Sequence, residues 1–194
     1  MDSMAKDQAP QALSSAVIDV VESSFRQLCH VPFSADPVVV EKDIIEYDGR
    51  MRLSPMEKFN APAYVAALNY HRSEKELQEQ DPAGTFVLYV KEDVVEKLFK
   101  AFGQPAGASD DEAKCLDVVS RFCGILGGDL KNKLAAMGFA EFVVSVPSAY
   151  KNAVPAGVPF DFNLFREWEI SFSFWKEKCI VIEVCIGGIP PGAR

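Results

Sequence analysis

Asp117, Ser120, Arg121, Gly124, Gly128 and Lys131 crowd into one short stretch of this sequence. Together they offer an acid, a hydroxyl, two cations and two positions without side chains. An acid and a cation at i,i+4 form a helical ion pair worth about 0.3–0.5 kcal/mol when exposed. Turned outward instead, the planar guanidinium of Arg121 matches a phosphoryl group or a carboxylate. Each glycine inside a helix costs roughly 1 kcal/mol relative to alanine. With Gly127 also present, something must gain from the missing side chains. That gain is either close packing of a neighbouring helix, such as one over 13–29, or a smooth strip where a partner approaches the backbone. Gly127 lies to one side and suits internal packing.

Other chemistries have less support. Ser145 and Ser148 flank Pro147, but no G-x-S-x-G elbow occurs. GILGGD lacks the Lys-Ser/Thr of a phosphate loop and falls inside a helical period. Cys29, Cys115, Cys123, Cys179 and Cys185 form no C-x-x-C pair, and His30 and His71 lie far apart, so no metal site is expected. The cysteines sit in apolar contexts and read as reduced core thiols of a cytoplasmic protein. Trp168, Trp175, Phe172 and Phe174 read as core and sheet-face aromatics.

The elements that position the candidate residues follow from periodicity. From Val119, about 100° per residue puts Cys115, Leu116, Phe122, Cys123, Leu126, Leu130, Leu134 and Met137 on one stripe. Asp117, Arg121, Gly124 and Gly128 then fall on the opposite face. Ser109 and Glu112 stand in the capping-box relation ahead of this helix, and Gly138 stops it.

An earlier helix is expected through Val17, Val20, Val21, Phe25 and Leu28, and a short one over Lys91–Phe102 ending at Gly103. Strands are expected over 38–47, 63–70, 84–90, 142–146, 169–175 and 179–186. Ile170, Phe172 and Phe174 alternate with Glu169, Ser171 and Ser173, which suits a sheet with one buried face. The expected fold is α+β, a mostly antiparallel sheet with long helices on one face. Residues 1–12 read as a disordered leader, 13–187 as one domain and 188–194 as a tail.

Composition bounds the partners. The chain is 48% hydrophobic, enough for one sizeable core, and its net charge of -8 argues against nucleic acid or an anionic membrane. No apolar run is long enough to cross a bilayer, and MDSMAKDQAPQ has no apolar signal core.

The segment DVVSRFCGILGGDLKNKLAAMGFAEFVVSVPS (117–148) resembles the CheX/CheC/FliY chemotaxis phosphatases, as does GTFVLYVKEDVVEKLFKAFG (84–103) before it. The resemblance implies a protein that removes the aspartyl phosphate of a CheY-like response regulator. In that family a helix carries an Asp or Ser, then a Glu that engages the regulator's lysine, then an Asn that orients the attacking water. A Pro follows beyond the helix. The regulator, and not the phosphatase, holds the Mg²⁺. An amide can both donate and accept, which positions a water without an abnormal pKa.

Laid without gaps on this sequence, those positions are Asp117, Arg121, Gly124 and Pro147. Arginine would repel the lysine, and glycine has nothing to hold a water. A second register places Asp117 and Ser120 on the Glu and Asn positions, but Pro147 then falls one turn too far. Glu22, in the first helix, is followed by Phe25 at the amide spacing, and Phe25 belongs to the apolar stripe. The resemblance thus implies a response-regulator-binding protein with contacts at Asp117, Arg121, Gly124, Gly128 and Lys131 and with weakened or lost phosphatase activity. The alternatives are an active phosphatase using Asp117 and Ser120, or Asp129, and a dimeric scaffold paired through edges of the two C-terminal strands.

Overall fold

The computed structural model describes residues 3–30, 33–103, 105, 110–174 and 176–187, with side chains described from residue 12 onward. The element order is α1 (Ser3–Cys29), β1 (Val38–Asp43), β2 (Glu46–Tyr47), β3 (Arg50–Met51), α2 (Pro55–Phe59), β4 (Ala63–His71) and α3 (Glu74–Glu79). There follow β5 (Gly84–Lys91), α4 (Glu92–Ala101), α5 (Glu112–Ala136), β6 (Val143–Val144), β7 (Ser148–Lys151), β8 (Arg166–Phe174) and β9 (Glu177–Ile186). The fold is α+β with an antiparallel main sheet, as expected. Helix α1 starts well before residue 13, and the side chains of the proposed leader, the tail 188–194, Ser109 and Trp175 lie outside the described residues.

The main sheet runs β1-β8-β9-β5-β4-β6, with β7 also paired to β4. One face carries α1, α4 and α5. Its core includes Phe25, Leu68, Leu88, Phe122, Leu126 and Ile182, all at most 1% exposed. Phe25 meets Phe122 edge-on at 6.2 Å between ring centroids, which seats α1 against α5. The alternation of β4 and β5 sends Val65, Ala67, Val87 and Tyr89 to the other face, where Met51, Leu53, Val158 and Phe160 cover them.

The expectation of a sheet with one buried face therefore fails at its centre. Glu167, Glu169 and Glu183 point to the second face and are at most 7% exposed. Lys58 of α2 bridges Glu169 and Glu183, Lys42 of β1 also pairs with Glu169, and the Tyr89 hydroxyl donates to Glu183. Burial works against the charge of Lys58, but the Glu183 and Glu169 carboxylates outweigh it and hold its pKa above the ordinary value. Burial, with the Glu183 charge nearby, pushes the Glu167 carboxyl up to about 8. Lys58 and Lys42 thus supply the ionic cover of this face.

The strand edges also differ from expectation. β8 lies between β1 and β9, and β9 lies between β8 and β5. Neither C-terminal strand has a free edge, so the scaffold reading loses the edges it invoked. The free edges of the sheet belong to β1 and to the broken strand β6–β7.

Candidate functional site

Helix α5 opens on Asp111, whose carboxylate accepts from the Ala113 and Lys114 N–H groups at 3.0 and 3.4 Å. The Lys114 N–H holds the Asp111 carboxyl below its ordinary pKa. The cap is thus Asp111, an acid one residue before the first helical turn that reaches the orphan N–H groups. The helix closes at Met137, and Gly138 follows at φ +87°, the left-handed conformation that ends a helix at glycine.

The periodic reading of this helix holds. Cys115, Val119, Phe122, Cys123, Leu126, Leu130 and Leu134 are buried, and Leu116 and Met137 are half-buried. Asp117 and Arg121 are exposed on the opposite side, with Gly124, Gly128 and Lys131 half-buried along the same strip.

The three glycines have separate reasons. Gly127 faces the sheet: a Cβ there would stand 2.3 Å from Leu68 Cδ2, and the Tyr70 hydroxyl donates to the Gly127 carbonyl at 3.0 Å. That is the internal packing expected of it. Among the described residues a Cβ on Gly124 would meet only Pro147 Cγ, at 3.6 Å, and one on Gly128 would meet nothing within 4 Å. Neither glycine is occupied by α1, which packs along the other flank through Ser24–Asp129 and Lys133–Asp19 contacts. The close-helix reading of Gly124 and Gly128 is therefore overturned, and the open strip remains.

Pro147 reaches Gly124 because the sheet edge breaks there. β6 pairs with His71 and Tyr70 of β4, and β7 resumes the pairing from Ala67. Proline has no N–H to give to the ladder. Ser145 closes the first segment by donating its N–H to the Asn69 carbonyl at 2.9 Å, and Val146 is thrown outward, 86% exposed. The Ser120 hydroxyl donates to the Pro147 carbonyl at 3.3 Å and ties the break to the helix. The sequence reading ended its strand at Val146 and missed β7, whose burial pattern is weak.

Arg121 and Asp117 do not form the expected ion pair among the described residues. The Arg121 guanidinium instead lies over the Phe102 ring, 4.7 Å from its centroid, beyond the end of α4. A guanidinium on an aromatic face keeps its charge and all its N–H donors.

Two of the alternative catalytic residues have hydrogen-bond partners within the fold. Ser120 donates its proton to a backbone carbonyl, and Asp129 accepts from Ser24 on the α1 side. All five cysteines are free, and burial pushes the Cys179 and Cys185 thiols up to about 12. His71 is buried, with Nδ1 3.0 Å from the Asp81 carbonyl. No group of His, Cys, Asp and Glu among the described residues is arranged to hold a metal ion, and no described helix is long and apolar enough to cross a membrane.

The strip therefore offers two cations, one of them held on a ring, one carboxylate, a floor without side chains and a proline wall. It can bind a surface closely and pair with an anion. Neither Arg121 nor Gly124 supplies an amide to orient a water.

No family model matches the chain, and no curated protein matches it in sequence. Solved structures do match in fold. The chemotaxis protein CheX from Vibrio vulnificus is 14% identical, with a TM-score of 0.55 over 90% of this chain and 99% of that one. Thermotoga maritima FliY is 13% identical, with a TM-score of 0.56 over 97% and 93%. The CheX of the CheX–CheY–BeF3–Mg complex from Borrelia burgdorferi is 13% identical, with a TM-score of 0.51 over 90% and 97%. The chain accordingly has the α+β fold of the CheC-like, CheX and FliY structures.

Proposed function

We propose that this protein is a CheX-like component of chemotaxis or two-component signalling that docks a CheY-like response regulator on α5. In this reading its own aspartyl-phosphate phosphatase activity is weakened or lost. The observation that carries the reading is the strip of exposed Asp117 and Arg121 and half-buried Gly124 and Gly128, with Pro147 against Gly124. Asp117, Arg121, Gly124 and Pro147 are the positions that the resemblance lays on the family's signature. A chain of the same fold is found in complex with CheY, which supports a regulator as partner.

The chemistry follows from the residues present. Gly124 offers no amide at the water-orienting position. Arg121 repels a lysine and favours a phosphoryl group or an acidic pocket. The Mg²⁺ of the regulator's phosphorylation site stays with the regulator, and the setting is the cytoplasm. The test is the decay rate of a regulator's acyl phosphate with this protein in excess. The expected rate is unchanged while the two proteins bind. A severalfold acceleration would favour the active-phosphatase alternative, and an absence of binding to any regulator encoded alongside it would leave the docking reading without support.

A further inference from the structure

A cleft of about 530 Å³ opens on the sheet face opposite α5, between the β2–β3 hairpin and the turn at 153–157. The two walls are joined by paired backbone hydrogen bonds between Met51 and Val158, 2.9 and 3.0 Å long. Met51 is 1% exposed in the second core, and its neighbours in an extended strand point the other way. Arg50 and Arg52 are thereby placed together on the cleft side. Gly157, at φ +63°, completes the wall: a Cβ there would stand 2.6 Å from the Met51 carbonyl oxygen and 3.2 Å from Arg50 Cβ.

Among the described residues neither guanidinium takes part in an ion pair or a side-chain hydrogen bond, although the chain carries 28 acidic residues. The Arg50 Nε is buried without an acceptor, one of only two such side-chain atoms among the described residues. Buried N–H groups in folded proteins nearly always have an acceptor, so the Arg50 Nε is an exception among them. Asp48 also lines the cleft but pairs with neither arginine, and Tyr47 stands exposed at its mouth.

We infer that this cleft binds a small phosphate-bearing molecule, held by Arg50 and Arg52. Guanidinium groups are preferred protein partners of phosphate oxygens, and both arginines line this cleft, Arg50 lining a second one beside Asn69 and Ser145 as well. The volume falls in the range of small-molecule sites and exceeds what a bare phosphate needs. The Tyr47 ring and the Asp48 carboxylate suit a phosphate ester with a flat ring bearing N–H donors, as in a nucleotide; an inorganic polyphosphate shares the phosphate chemistry. The inference is independent of docking on α5.

The test is calorimetric titration of the full chain with GTP, ATP and pyrophosphate. At least one is expected to bind at one per chain, and Arg52→Ala is expected to weaken it about tenfold or more. The Arg52 side chain is exposed, so that variant should keep the wild-type circular dichroism spectrum. Tyr47→Ala should weaken a nucleotide and spare pyrophosphate, which separates the two sources. Failure of all three to bind at millimolar concentration, or equal affinity in folded Arg52→Ala, overturns the inference.

Discussion

Gly124 and Pro147 meet where helix α5 passes the break between β6 and β7, with room for a Cβ on Gly124 at 3.6 Å from Pro147 Cγ. The contact links the docking strip to the sheet edge. It also means that Gly124 is not required by crowding, because 3.6 Å is an ordinary van der Waals distance. A Cβ fits at that position.

That room allows a gain of function. Arg121→Glu with Gly124→Asn places an acid and an amide on one face of α5, three residues apart. The double variant is expected to speed decay of a bound regulator's acyl phosphate by at least tenfold over wild type, followed by loss of labelled phosphate. A folded double variant that binds the regulator and still leaves the decay unchanged would count against the proposed register.

The glycines are expected to differ in stability. Gly128→Ala fills open space and should stabilise the fold by up to about 1 kcal/mol through helix propensity. Gly127→Ala drives a methyl into Leu68, and overpacking of about 1–3 kcal/mol should outweigh that gain. Urea unfolding of both variants beside wild type checks the opposite signs.

The asymmetry of those glycines marks how far the sequence could be read. The 3.6-residue period separated Val119 and Leu126 from Asp117 and Arg121, because one helix buries a single broad stripe. It could not say which neighbour meets Gly124, since that depends on a strand break far along the chain. It also read Glu169, Ser171 and Ser173 as a solvent face. A carboxylate alternating with serines carries the same pattern whether water or Lys58 satisfies it. Arg50 and Arg52 gave no signal for the same reason: the cleft exists only once the turn at 153–157 closes on the hairpin.

Lys58 holds the second face together. Lys58→Met would leave Glu169 and Glu183 side by side, buried and without their shared cation. The expected loss is about 3–5 kcal/mol, the usual result of removing one partner from a buried charge cluster. Chemical denaturation at neutral pH measures it, and the loss should shrink in acid as the carboxylates take up protons.

Glu167 gives the fold a pH dependence of unusual sign for a carboxylate. Its folded pKa is raised to about 8, while an unfolded glutamate titrates near about 4.3. Between those values the folded chain keeps a proton that the unfolded chain has released. Its contribution is therefore fully present below about pH 4.3 and is lost as pH rises through about 8, by at most about 1.4 kcal/mol per pH unit. Glu167→Gln mimics the neutral acid and should remove this component, making the variant more stable than wild type at pH 8. Unfolding curves from pH 5 to pH 9 on both proteins give the comparison.

The most direct measurement is equilibrium binding of a beryllofluoride-activated CheY-like regulator to wild type and to Gly128→Trp. A Cβ at Gly128 meets no described atom within 4 Å, so the variant is expected to fold as wild type does, checked by its circular dichroism, while obstructing the strip. Docking on α5 predicts measurable affinity for wild type and a loss of at least tenfold for Gly128→Trp. Equal affinity of the two proteins, or no affinity of wild type for any regulator encoded alongside it, would contradict it.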